Sequence, residues 1–190
     1  MKSDKIKQAI EIIRDYNQFQ RGRLWDDIQF VLKCSEAVAK DKADSHCNMV
    51  SFWSGMYLAG HTSMSYREFF SKMLTTIIKD PKNGNNYGCR DDGYLNVSKE
   101  CIAKQLFGYN FKPVFFEDFE DVVNPTVRLD PDSWYQMKIK NSDHYMLSCL
   151  DDNGIMLIFC TGKRGVGVPA IGASRIDEQH FKWLMEILCA

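Results

Sequence analysis

The chain has 190 residues, 45% of them apolar, with 24 Lys and Arg against 25 Asp and Glu and a formal net charge of −1. A chain of this length buries about 70% of the surface its unfolded form exposes, so a single domain over 1–190 with one sizeable core is expected. The balanced charge excludes the electrostatic pull that draws a basic chain to nucleic acid or to an anionic membrane, and neither is expected as a partner.

The opening Met1-Lys2-Ser3-Asp4-Lys5-Ile6-Lys7 leads into an amphipathic stretch without the uninterrupted apolar run of a secretion signal or a spanning helix. A cytoplasmic protein is expected, or one delivered from the cytoplasm without a signal peptide. Ile6, Ile10 and Ile13, joined less regularly by Ile12, Tyr16 and Phe19, recur at helical spacing up to Gly22. Residues 24–39 read as a second helix, and 40–44 as a polar loop. From Cys47, the apolar positions Val50, Trp53, Tyr57 and Leu58 suit a buried helix that stops at Gly60, a favourable C-terminal glycine.

Ser65-Tyr66-Arg67-Glu68 is a capping box, in which hydroxyl and carboxylate satisfy each other's backbone N–H, followed by Phe69, Phe70, Met73 and Leu74. Asp80 and Pro81 end that helix. The glycine- and asparagine-rich residues 80–97 read as a long loop, and 98–107 as a short helix closed by Gly108. The period then changes. Residues 111–116, 134–140, 144–150 and 155–161 read as strands separated by turn residues. Helices first and strands later argue an α+β fold. Alternation in 134–140 leaves one face wet, whereas 144–150 and 155–161 are apolar on both faces and should be central. A last helix is expected over 177–188.

Two residues carry the chemistry. Cys47, in Ser45-His46-Cys47-Asn48-Met49-Val50-Ser51, stands at a helix start, where unpaired N–H groups favour a thiolate and can face a developing oxyanion. His144, in Asp143-His144-Tyr145-Met146-Leu147, heads a strand and can act as base if the sheet packs against that helix end. The seven cysteines (34, 47, 89, 101, 149, 160, 189) are odd in number, and none forms a Cys-x-x-Cys pair. Free thiols in a reducing compartment are expected, with Cys149 and Cys189 in the core.

Cys47-Asn48-Met49-Val50-Ser51 resembles the Cys-Asn-Val-Thr-Ser or Cys-Gly-Pro-Thr-Ser start of the catalytic helix in papain-like peptidases related to the bacteriocin-leader (double-glycine) peptidases. The stretch from His144 through Asp151-Asp152-Asn153-Gly154 resembles their His-Tyr-Val-Val-Val strand and Asp-Asp-Asn-Gly hairpin. The resemblance covers roughly residues 40–162. It implies a papain-like α+β fold, with a helical half carrying Cys packed on an antiparallel sheet carrying His. It also implies a thiol hydrolase acting on a peptide or protein substrate through an acyl-enzyme, without a cofactor.

The family's third residue, usually Asp or Asn, holds the imidazole in its working tautomer and falls 16 positions after the histidine, where this chain has Cys160. A neutral thiol is a weak acceptor and cannot stabilise an imidazolium as a carboxylate does. Hairpin geometry places the same residue there. A three-residue Asp152-Asn153-Gly154 loop pairs Asp151 with Ile155, sets Met146 opposite Cys160 and puts His144 and Cys160 on one face as diagonal neighbours. A two-residue Asn153-Gly154 loop would put them on opposite faces, and glycine in third position favours the longer loop.

The family's oxyanion glutamine lies about six residues before the cysteine, but Asp41 stands there. Gln18, Gln20, Gln29 and Asn48 are the nearby amides, and no spacing selects one. Two other readings compete with the hydrolase: a catalytically inactive binding module of the same fold, and a zinc site built from Cys47, His144 and Cys160 with His46.

Overall fold

In the computed structural model, the structure describes residues 2–82, 84, 87–140, 144–162, 170–171 and 178–190. Among the described residues the fold is α+β, with the longer helices preceding nearly all of a six-stranded antiparallel sheet.

Helix α1 (Lys2–Asp15) stops well before Gly22 and inserts Ala9 and Ile13 into the core. Residues 24–39 are two helices, α2 (Arg23–Leu32) and α3 (Glu36–Ala43), where the sequence suggests one. Lys33 turns left-handed at φ 51° to end α2, and the Ser35 hydroxyl accepts the Val38 N–H to start α3. Residues 40–43, expected as loop, are helical because Ala39 and Ala43 share a fully buried face.

Helix α4 (Cys47–Leu58) is buried nearly all round, as its apolar composition requires. It packs on strands of the sheet on one side and on α1 and α5 (Tyr66–Thr75) on the other. Its end is a Schellman motif: Gly60 takes φ +87°, Gly60 N–H bonds the Tyr57 carbonyl at 3.1 Å, and His61 N–H bonds Met56 at 2.9 Å. The capping box at Ser65 and Glu68 starts α5. The segment before α6 (Lys99–Leu106) is more ordered than a loop, with antiparallel bridges joining Ile77 to Tyr87 and Cys89 to Leu95. A short α7 (Glu120–Val123) follows later in the chain.

The strands are β1 (Phe115–Phe116), β2 (Trp134–Ile139), β3 (Tyr145–Leu150), β4 (Met156–Phe159), β5 (Ala170–Ile171) and β6 (Phe181–Ile187), in the order β1-β6-β2-β3-β4-β5. The expected 111–116 strand shrinks to the two residues of β1. The expected final helix is instead β6, paired with both β1 and β2. Its helix-like spacing of Phe181 and Leu184 has another cause. A bulge lets Ile139 pair with Phe181 while Lys138 pairs with Trp183, so Phe181 and Leu184 return to the same face.

Strands β3 and β4 are inner strands, buried on both faces. Leu147, Cys149, Leu157 and Phe159 join the helical core, while Met146, Leu150, Met156 and Ile158 form a second core across the sheet. Strand β2 has no wet face through Met137, because α4 covers Trp134 and Gln136, and Tyr135 and Met137 enter the second core.

Candidate active site

The site begins with the β3–β4 hairpin. Asp151 N–H bonds the Ile155 carbonyl at 2.9 Å, Gly154 N–H bonds Asp151 at 3.1 Å, and Gly154 is left-handed at φ +76°. This is the three-residue loop. With Leu147 opposite Phe159 and Leu150 opposite Met156, His144 and Cys160 emerge on one face. His144 Nε2 lies 3.0 Å from Cys160 Sγ. The ring nitrogen left for another partner is Nδ1, and it is a base only in the tautomer with its proton on Nε2, toward Cys160.

Cys47 arrives from the helical half. The turns His46 N–H to Ala43 at 3.1 Å and Ser45 N–H to Lys42 at 3.3 Å launch α4, and Cys47 is its first residue, 4% exposed. Its sulfur is met by the backbone N–H groups of Asn48 and of Tyr145, the residue after His144. Helix start and strand head therefore meet.

The electrostatics differ from the sequence expectation. Burial pushes the Cys47 thiol up to about 11, against the pull of those two N–H groups. Burial also holds His144 below its ordinary 6.5, opposed by the charge of Asp44. A thiol pushed up and an imidazole pushed down both oppose transfer of the proton from Cys47 to His144. The resting pair is therefore thiol and neutral imidazole.

Three further residues brace the site. Gln18, buried just beyond α1, donates its amide hydrogens to the carbonyls of Ala43 at 3.1 Å and Asp44 at 2.5 Å. Its backbone N–H bonds Thr161 at 2.9 Å, and its Oε1 accepts the Thr161 hydroxyl at 3.4 Å. Gln18 thus ties the turn before Cys47 to the strand end beside Cys160. With both amide hydrogens directed at carbonyls, it acts as a brace and not as an oxyanion donor.

Gln136 of β2, fully buried, places its amide nitrogen 3.1 Å from both the Asn48 carbonyl and the Asn48 side-chain oxygen and 2.6 Å from the Ser51 hydroxyl, which pins the first turn of α4 to the sheet. Gly162 lets the imidazole lie on the backbone, since a Cβ there would stand 2.6 Å from His144 Cε1. Gln18 appeared in the sequence only as one of several amides. Gln136 and Gly162 carried no signal, because their partners lie far away in the chain.

His46 is turned away from this cluster. Its Nδ1 lies 2.6 Å from the Tyr66 hydroxyl, and its ring packs edge-on to Phe70. Among the described residues, no group of three or more His, Cys, Asp or Glu side chains is placed to hold a metal ion. No helix there is long and apolar enough to cross a membrane. Comparison with known protein families, with curated proteins and with solved structures finds no match to this chain.

Proposed function

We propose that the protein is a papain-like thiol hydrolase that cleaves a peptide or related amide bond. The observation that carries this reading is the contact of His144 Nε2 with Cys160 at 3.0 Å, while the adjacent Tyr145 N–H meets the Cys47 sulfur. The reading is also supported by a helical half that carries Cys47 at a helix start and an antiparallel sheet that carries His144 at a strand head.

In the reaction, Cys47 Sγ bonds to the carbonyl carbon as its proton passes to His144 Nδ1. The oxyanion faces the N–H groups of the first turn of α4, which have no intrahelical partner. Collapse breaks the C–N bond, His144 returns the proton to the leaving amine, and a thioester remains on Cys47. Water then attacks the thioester with His144 as base, releasing the acid and restoring the thiol. Cys160 orients the ring through Nε2 but cannot neutralise the imidazolium.

A second reading, a non-catalytic module of the same fold, is favoured by the thiol in the orienting position and by the high pKa of Cys47. Hydrolysis of a pool of end-blocked peptides, followed by mass spectrometry, separates the two. The wild type should release products that Cys47→Ala and His144→Ala do not. Cys160→Asp should accelerate release at least tenfold, because a carboxylate 3 Å from an imidazolium is worth about 1–3 pKa units. Release equal in wild type, Cys160→Asp and Cys47→Ala would leave the second reading standing.

A further inference from the structure

A pocket of about 240 Å³ opens beside the first turn of α4. Leu95, Pro113, Phe115 and Trp183 give it apolar walls, and Asn48 and Lys99 bring polar atoms. Asn48 follows the candidate nucleophile directly. Lys99 Nζ lies 5.2 Å from the Tyr145 ring centre and 5.4 Å from that of Trp183. Lys138 approaches the same tyrosine from its own strand, donating to the hydroxyl at 2.9 Å with Nζ 4.8 Å from the ring centre.

Two ammonium groups therefore share one aromatic ring, and among the described residues no carboxylate is ion-paired with Lys99. Glu100, at the pocket, is 3.7 Å from Lys82. Burial, with the charge of Lys138 added, pushes Lys99 down to about 7 against the weaker pull of the Glu100 charge. Such a cation gains from an incoming anion in two ways: its desolvation is compensated, and the repulsion between the lysines is offset.

We propose that this pocket is a substrate subsite for a carboxylate-bearing residue next to the scissile bond, with Lys99 pairing the carboxylate and the apolar walls taking its methylenes. The word substrate rests on the thiol-hydrolase reading, whereas the carboxylate site does not. The carboxylate belongs to an acidic side chain or to a chain terminus, a distinction made by the probes below.

In Cys47→Ala protein at pH 7.5, acylation of Lys99 by a dilute amine reagent is read by peptide mass spectrometry. Three probes are compared: acetyl-Ala-Glu-Ala-amide, its glutamine counterpart, and acetyl-Ala-Ala-Ala with a free carboxyl terminus. At least threefold protection by one or both carboxylate peptides, and none by the glutamine peptide, is expected. The protecting peptide identifies the carboxylate's source. Equal labelling with all three overturns the proposal.

With the active chain and a peptide library offered in both end-blocked and free-carboxyl forms, cleavage should prefer an acidic residue at one position or a free carboxylate. The preference should fall at least tenfold in kcat/KM in folded Lys99→Met and survive in Lys99→Arg. Hydrolysis without that preference removes the subsite and leaves the hydrolase. Protection without hydrolysis keeps the carboxylate site and removes the hydrolase.

Discussion

At the residue scale, the site is a set of neutral groups awaiting a charge. A thiol raised to about 11 beside an imidazole held below 6.5 holds little thiolate at neutral pH. Since the thiolate is the reactive form, iodoacetamide should label Cys47 slowly at pH 7 and about tenfold faster with each pH unit to near pH 10. A labelling rate already level by pH 8 would reveal a preformed thiolate and overturn the neutral-pair assignment. His144, depressed by burial, stays a competent base down to slightly acidic pH, so any hydrolysis should fall only as pH drops through a value below 6.5. Asp44→Asn removes a charge that raises the imidazole pKa, so it should move this acid limb lower still. Cys47, His144 and Cys160 were legible in the sequence because each belongs to a local pattern, a helix start or a hairpin of known register. The elevated pKa of Cys47 was not, since burial from all sides is a property of the assembled fold.

At the element scale, α4 depends on what lies against it more than on its own propensity. Gly55 lets the helix approach the sheet, because a Cβ there would stand 2.5 Å from Ile187 Cδ1 and 3.5 Å from Leu147 Cδ1. Gly55→Ala gains about 1 kcal/mol of helix propensity yet should destabilise by about 1–3 kcal/mol through overpacking. Urea denaturation should show that loss shrink in an Ile187→Val background, which lacks the clashing methyl. An undiminished loss there would place the strain elsewhere. The same contact shows why β6 was misread. Apolar residues three apart signal a helix unless a bulge intervenes, and a bulge is visible only once β2 supplies the partner strand. The hairpin was readable because its turn chemistry is local. Helix α3 was obscured because its polar Lys40, Asp41 and Lys42 face outward while its buried face consists of alanines.

At the scale of the whole molecule, the buried His46 makes stability depend on pH. Its pKa is pushed down to about 4 by burial, against the charges of Asp91 and Asp92, so the folded state stays neutral where the unfolded chain, near 6.5, takes a proton. Its stabilising contribution is thus present in full above about pH 6.5 and declines as pH falls toward 4. About 2 kcal/mol should be lost between pH 7 and pH 5, a slope that His46→Asn should largely remove in denaturant titrations. His144 adds a smaller term of the same sign, and a slope unchanged in His46→Asn would assign the effect elsewhere. The order of the sheet has a kinetic consequence as well. The β3–β4 hairpin closes over a three-residue loop and can form in microseconds, bringing His144 to Cys160 across only 16 positions. Docking α4 onto it must close a far longer stretch of chain, and β6 must travel back between β1 and β2. His144 and Cys160 should therefore meet early, with Cys47 arriving in the slow, long-range step. Strain or heat should separate Cys47 from His144 while the His144–Cys160 hairpin still holds.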